Sequence, residues 1–138
     1  MADPMMLIVA SGHPAARKAV VDLREFAEEP WIAGSPASPG THMTLRACRR
    51  AGFEPDIRMR TEDYLVMRRL VATGAGVAFV PQLALLDPVE RFAVCSLSDN
   101  QLVRRVFTAR RTSCDAPSAV SAMEYELREV ARKFTTAR

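Results

Sequence analysis

The chain has 138 residues, of which 49% are apolar and 25% charged, so it is long enough for one domain with a buried core. Its longest apolar runs, residues 5–10 and 77–80, are far shorter than the roughly 18 residues that a membrane-spanning helix needs, and we expect a cytoplasmic protein with no membrane partner. The net charge of +3 comes from 19 basic and 16 acidic residues spread along the whole chain, and therefore does not by itself indicate a nucleic-acid partner.

The first half of the chain predicts alternating strands and helices. The apolar run MMLIVA at residues 5–10 is typical of a strand that is covered on both faces. Residues 22–27 predict a short helical piece, and residues 31–32 a brief extended one before the turn sequence GSPASPG at 34–40. Residues 41–51 carry their apolar side chains on one helical face and are followed by a glycine, which predicts an amphipathic helix.

The second half continues this alternation. Residues 55–60 alternate between apolar and charged side chains, which predicts a strand, and Thr61 is placed to cap the helix that follows. The remaining predicted elements are a helix at 62–73, a buried strand at 77–80, one or two helical turns at 82–86, strands at 91–97 and 103–109, and a C-terminal helix capped by Asp115. The apolar residues of this last helix follow a 3, 4, 3, 4 spacing. This order of elements predicts an open α/β sheet, on which ligands bind at the carboxyl ends of strands.

Four phrases of the sequence, taken together, resemble the effector-binding domain of LysR-type transcriptional regulators. They are GHPAA at 12–16, DLREFAEEPWI at 22–32, RACRRAGFEPDI at 46–57 and LVATGAGVAFVP at 70–81. The resemblance covers roughly residues 4–111. It implies a periplasmic-binding-protein-like α/β fold, in which two subdomains are joined by two crossing strands and a small effector binds in the cleft.

By this resemblance the chain is the C-terminal portion of such a domain. Residues 1–20 would be the end of the first subdomain and a crossing strand, and residues 21–102 the second subdomain. Residues 103–138 would be the return strand and a helix that packs on the first subdomain. The family's winged helix-turn-helix domain has no counterpart in this sequence, so we expect contact with DNA only through that domain of a longer protein. Strand edges that lack their usual neighbours favour self-association, as a dimer.

The predicted effector site lies where the turn at 34–40 runs into a helix. Free backbone N–H groups and the positive end of the helix dipole favour a small anion at such a point, and hydroxyl groups nearby add donors. The resemblance places this loop, the strand end at Thr61 and the apolar run at 77–80 beside the cleft. The predicted effector-binding residues are Ser35, Ser38, Gly40, Thr41, His42, Thr61, Val77 and Phe79.

Simpler interpretations of these residues stay open. The serines and threonines are also ordinary helix caps, and His42 is placed as an exposed first-turn residue. Arg58 and Arg60 are further candidate partners for an effector carboxylate, although one face of an alternating strand is usually just solvated.

The sequence predicts no enzyme. Its only histidines are His13 and His42, it has no G-x-S-x-G motif, and no glycine-rich loop precedes a lysine. Cys48 falls on the inward face of a predicted helix and is expected to be a core thiol, and the three cysteines lack the spacing of a disulfide framework or zinc site. We therefore expect no metal and no cofactor.

The leading functional prediction is a module that senses a small organic anion and thereby controls DNA binding by a full-length LysR-type regulator. One alternative is a dimerisation or partner-binding fragment without a working ligand pocket. Another is a small hydrolase or transferase on an α/β scaffold.

Overall fold

In a computed structural model of the chain, residues 1–85, 91–98, 102–110 and 118–136 are described. Their contacts divide the chain into two compact units, Pro4–Val103 and Met1–Asp3 with Arg104–Arg138. The strands and α-helices are β1 (Ala2–Ala10), β2 (Pro30–Ala33), α1 (Pro39–Arg50), β3 (Asp56–Arg60), α2 (Tyr64–Ala72), β4 (Ala78–Pro81), β5 (Phe92–Cys95), β6 (Val103–Arg105) and α3 (Ser118–Thr136). Short 3-10 helices occupy Pro14–Arg17, Leu23–Phe26 and Gln82–Leu85.

A mixed sheet forms the framework of the unit Pro4–Val103. Strand β1 lies between β4 and β5 and is antiparallel to both, so that Leu7 is opposite Phe79 on one side and Cys95 on the other. Strands β2 and β3 pair in parallel. Hydrogen bonds from Ile32 N to Val77 O (2.9 Å) and from Val77 N to Pro30 O (2.8 Å) join β2 to the start of β4, also in parallel. The carboxyl ends of β2, β3 and β4 therefore meet at one edge of the sheet.

Gly76 makes the close approach of β2 and β4 possible. A Cβ atom at this position would lie 2.5 Å from the carbonyl oxygen of Pro30. Because no side chain fits in that space, only glycine lets Val77 exchange its two hydrogen bonds with β2.

The core of this unit is centred on Trp31. The Trp31 side chain is fully buried, its indole N–H donates to the carbonyl oxygen of Phe26 at 3.1 Å, and its ring contacts those of Phe53 and Phe79. The middle of β1 is buried as completely, which confirms the strand predicted from its continuous apolar run. Burial on both faces explains why that run shows no alternation.

The predicted helix at 41–51 is confirmed as α1, and its cap is a serine. The Ser38 hydroxyl accepts the N–H of Thr41 at 3.1 Å, and Pro39 occupies the first turn, where its missing N–H costs nothing. Helix α1 buries Thr44 and Cys48 against the core.

The cap predicted for the next helix was wrong. Asp63, and not Thr61, caps α2: its carboxylate accepts the N–H groups of Leu65 (2.8 Å) and Val66 (3.4 Å). The Thr61 hydroxyl instead accepts the N–H of Asp63 at 3.2 Å. An aspartate in this place satisfies two free donors of the first turn, so the helix begins later than the sequence pattern indicated.

The second unit contains a short strand pairing and the long helix α3. The Arg104 guanidinium donates to the buried carboxylate of Asp3 at 2.7 Å, and Val106 N donates to Met1 O at 2.9 Å. Strand β6 ends at Arg105, earlier than the predicted limit of 109. The helix predicted from its 3, 4, 3, 4 spacing is confirmed as α3, whereas its predicted cap, Asp115, lies outside the described residues.

All five residues of the predicted apolar face of α3 are exposed in this structure. The exposed residues of that face are Val120, Met123, Leu127, Val130 and Phe134. Within the described residues, neither α3 nor any other helix is both long and apolar enough to cross a membrane.

Candidate effector-binding site

A small cavity lies at the sheet edge where β2, β3 and β4 end. Its volume is about 20 Å³, and it is enclosed by the loop after β2, the first turn of α1 and the segment between β3 and α2. The lining residues are Met5, Ala33, Gly34, Ser38, Gly40, Thr41, Thr44, Thr61, Glu62, Tyr64, Met67 and Phe79. A space of this size has room for about one water molecule.

The cavity brings together five of the eight predicted site residues: Ser38, Gly40, Thr41, Thr61 and Phe79. The other three lie elsewhere. Ser35 is in the adjoining loop, where it contacts Glu62, and His42 is exposed in the first turn of α1. Val77 is buried at the junction of β2 and β4.

Glu62 is the main lining residue that sequence reasoning missed. Its carboxylate accepts the backbone N–H of Ser35 at 2.5 Å. Hydrogen bonds from the backbone and side chain of Ser35 hold the pKa of the Glu62 carboxyl below its usual value, because they favour the charged form. Its signal in the sequence was its position at the start of a predicted helix, two residues after the predicted strand at 55–60. The loop after β2 therefore already holds a carboxylate, supplied by the chain itself.

Gly34 provides the space that this contact needs. A Cβ atom on Gly34 would lie 2.6 Å from the Ser38 hydroxyl oxygen and 3.0 Å from each carboxylate oxygen of Glu62. The carbonyl oxygen of Gly34 accepts a hydrogen bond of 2.8 Å from the Arg60 guanidinium, which fixes the loop relative to the end of β3. The loop is thus shaped so that an oxygen-rich group approaches its backbone closely.

The hydroxyl groups in the first turns of α1 form hydrogen bonds with one another and with the helix. Ser38 Oγ lies 3.0 Å from Thr41 Oγ1, and the Thr44 hydroxyl donates to Gly40 O at 3.1 Å. Both threonines are buried. Ser38 therefore caps α1, as the simpler interpretation of this residue predicts, and it also lines the cavity.

The other candidate side chains have partners inside the chain. Arg58 donates to Asp56 at 2.7 Å, and Arg60 is engaged by Gly34. His13 caps the 3-10 helix that follows it by accepting the N–H of Ala15, and its ring stacks on Phe26. These contacts tie His13 to the turn that follows β1.

Cys48 is a buried thiol, as predicted. Burial raises the pKa of the Cys48 thiol to about 12, with a further contribution from the negative charge of Glu54. A thiol in this state is protonated at neutral pH and is a poor nucleophile.

Comparison with known proteins identifies the family. Residues 1–132 match the family model described as the LysR substrate binding domain, so the chain belongs to the LysR family of regulators. It is 30% identical over 139 residues to the small neutral protease regulatory protein of Streptomyces coelicolor, a match that covers 99% of this chain and 40% of that protein. It is 31% identical over 84 residues to the HTH-type transcriptional regulator AlsR of Bacillus subtilis, covering 59% and 28% of the two chains. Both relatives are named as regulators, and the matches span less than half of the length of either one.

Solved structures establish the same fold. The regulatory domain of CcmR from Synechocystis PCC6803 in complex with 2-PG superposes with a TM-score of 0.83 at 16% identity, covering 94% of this chain and 64% of that one. The effector binding domain of QuiR in complex with shikimate superposes with a TM-score of 0.75 at 21% identity, covering 89% and 58%. The predicted fold class, the periplasmic-binding-protein-like α/β fold of a LysR-type effector domain, is confirmed.

Proposed function

We propose that this chain is the effector-sensing part of a cytoplasmic LysR-type transcriptional regulator, and that its effector is a small organic anion bound at the loop after β2. It has no catalytic activity in this proposal. The observation that supports the anion site most directly is the Glu62 carboxylate against the backbone N–H of Ser35. A loop that holds one carboxylate through its backbone and hydroxyl donors has the chemistry to hold another in its place.

Exchange with Glu62 is the proposed mode of binding. The Glu62 side chain is exposed, so it can turn into solvent when an effector carboxylate takes over the Ser35 donors. The Ser38 hydroxyl, which donates to Thr41 Oγ1 in the free chain, then turns its proton to the effector. The apolar side chains of Met5 and Phe79 form the wall against which the rest of the effector packs. The Tyr64 hydroxyl lies close to Gly40 on the opposite rim.

The small size of the cavity supports the proposal that this surface forms one side of a larger site. About 20 Å³ is far below the roughly 300 to 1,000 Å³ of a typical small-molecule pocket. We therefore propose that the other side belongs to a further subdomain of a longer regulator, as the family resemblance implies. An effector that contacts both sides favours one arrangement of the subdomains, and so changes how the attached winged helix-turn-helix domains meet DNA.

Self-association as a dimer is part of the proposal. Strand β3 pairs only with β2 among the described residues, and the Met59 side chain on β3 is 38% exposed. An edge strand with unpaired backbone groups is a template for pairing with another chain. Sedimentation velocity of the purified chain tests this point, because a concentration-independent monomer would contradict it.

The anion site is tested by isothermal titration calorimetry of the purified chain with benzoate and shikimate, and with benzamide as the uncharged counterpart of benzoate. We expect the carboxylates to bind and benzamide not to bind. Replacement Glu62→Gln removes the competing negative charge and should tighten carboxylate binding about tenfold, since a paired charge is exchanged for a neutral amide.

Two glycine variants complete this experiment. Gly34→Ala places a methyl group where the Ser38 hydroxyl and the bound carboxylate must lie, so it should abolish binding. Gly12→Ala is the matched control, because nothing lies within 4 Å of an added Cβ there. Absence of shikimate binding in a cooperatively folded chain, or shikimate binding that survives Gly34→Ala, would contradict the proposed site and favour the dimerisation fragment instead.

A further inference from the structure

A second and much larger concavity lies on the unit Pro4–Val103, away from the effector cavity. Its volume is about 710 Å³, which is within the usual range for small-molecule sites. It runs along the C-terminal half of α1 and shares no lining residue with the effector cavity. We refer to it as the α1 groove.

The floor of the α1 groove is apolar. It is formed by side chains from α1, from the 3-10 helix at Leu23–Phe26 and from the two segments that flank residues 99–101. The apolar floor residues are Leu23, Met43, Ala47, Leu97 and Leu102. Such a floor suits the hydrocarbon or aromatic part of a ligand, since burying apolar surface is favourable by about 25 cal/mol per Å².

The wall of the groove carries two arginines whose charges have no partner among the described residues. Arg46 and Arg50 are four residues apart on α1, so their side chains lie one helical turn apart on the same face. Both are exposed, and neither has an ion pair or a side-chain hydrogen bond with any residue of the described part of the chain. Arg49, which lies between them in sequence but does not line the groove, is paired with Glu54 at 2.6 Å.

The acidic residue at the groove does not neutralise these arginines. Among the lining residues that the structure describes, Asp22 is the one acidic residue, and its carboxylate receives several hydrogen bonds from the Arg24 guanidinium. Those bonds hold the pKa of Asp22 at about 2, so its charge is already matched by Arg24. Counted over its described lining residues, the groove therefore combines an apolar floor with an excess of positive charge.

We propose that the α1 groove is a second ligand site, which binds an amphiphilic anion. An aromatic or short aliphatic body lies on the leucine-rich floor, and a carboxylate or similar anionic head lies between the guanidinium groups of Arg46 and Arg50. Guanidinium groups suit this role because they donate paired hydrogen bonds to planar oxyanions. The site is independent of the effector cavity and does not rest on the proposed function.

The test uses 2-naphthoate as the probe and 2-naphthamide as its uncharged counterpart, titrated calorimetrically into the full chain. We expect naphthoate to bind in the α1 groove with an affinity that falls as salt is added, and the amide to bind there at least tenfold more weakly. The double replacement Arg46→Gln and Arg50→Gln should reduce naphthoate affinity at least tenfold. Both side chains are exposed, so this variant should keep the melting temperature of the parent chain.

Two controls separate this site from the others. Arg49→Gln removes one positive charge from the same helix outside the groove and should leave naphthoate affinity within twofold of the parent value. Gly34→Ala, which blocks the effector cavity, should also leave it unchanged. No binding of naphthoate to the folded parent chain, equal losses in the Arg49→Gln variant, or loss of binding in Gly34→Ala would overturn the proposal.

Discussion

Helices α1 and α3 have the same kind of amphipathic sequence and very different environments. Helix α1 lays its inward face on the core, where Cys48 is completely buried and Thr44 nearly so. Helix α3 has the more regular apolar spacing of the two, yet Met123 is 61% exposed and Leu127 46%. An amphipathic pattern thus predicts a helix with a face that suits burial, but it does not specify whether this chain supplies the covering surface. The unit Pro4–Val103 has its core within itself, whereas most of the α3 face is open.

The strongest test of that difference is removal of the central core side chain. Trp31→Ala should lower the free energy of unfolding by about 3–5 kcal/mol, because it deletes a fully buried ring and leaves a cavity against Phe53 and Phe79. Urea denaturation followed by far-UV circular dichroism measures this change. A loss of less than about 1 kcal/mol would mean that the core around Trp31 is not packed as described.

The next effect concerns the junction between β2 and β4. Gly76→Ala brings a methyl group to 2.5 Å from the Pro30 carbonyl oxygen, so it should destabilise the chain by about 1–3 kcal/mol through forced separation of the strands. Gly12→Ala adds the same methyl group in open space and is the matched control. Equal urea midpoints for the two variants would contradict the close approach of the strands.

A smaller effect is expected from the contact between Glu62 and Ser35. The pKa of Glu62 is lowered in the folded chain, so the contact stabilises the fold above the ordinary value of 4.5 and this contribution is lost as the pH falls through the lower folded value. The amide proton shift of Ser35, followed by NMR between pH 6 and 3, should move with a midpoint below 4.5. This transition should be absent in Glu62→Gln, and a midpoint at or above the ordinary value would show that the contact does not form in solution.

The smallest effect is expected on α3. Met123→Gln replaces an exposed apolar side chain with a good helix former. The free energy of unfolding, measured by urea denaturation, should therefore change by no more than about 0.5 kcal/mol. A loss of unfolding free energy comparable to that of Trp31→Ala would show that the α3 face is covered in solution. The covering surface would belong either to a second copy of the chain or to other residues of the same chain. Repeating the measurement at two protein concentrations separates these two cases, since only association depends on concentration.

Much of the fold was predictable because its signals are local. The uninterrupted apolar run at 5–10 predicted a buried strand, and the spacing at 41–51 predicted α1, because both depend only on which side chains face the same way. The cap of α2 was misassigned because Thr61 and Asp63 are both good caps, and only backbone geometry decides which carboxylate or hydroxyl reaches the free N–H groups.

The candidate site was predictable only in outline. Ser38, Thr41 and Thr61 were recognised because they stand where a strand ends or a helix begins, and such positions meet at one edge of the sheet. The contact between Glu62 and Ser35 joins residues 27 positions apart. It depends on the parallel register of β2 and β3, in which Ala33 lies opposite Arg60, and no local pattern carries that information.

The sequence by itself thus determined the class of fold, the family, the ends of the strands that carry the proposed site and the helices that begin there. Those features follow from side-chain periodicity, capping and a recognisable order of motifs, all of which are properties of short segments. Only the tertiary structure decided which distant groups meet: the Glu62 carboxylate at the Ser35 loop, Gly76 against Pro30, and Arg46 and Arg50 above an apolar floor. The physical reason is that distances between segments are set by strand register and core packing, which are collective properties of the folded chain.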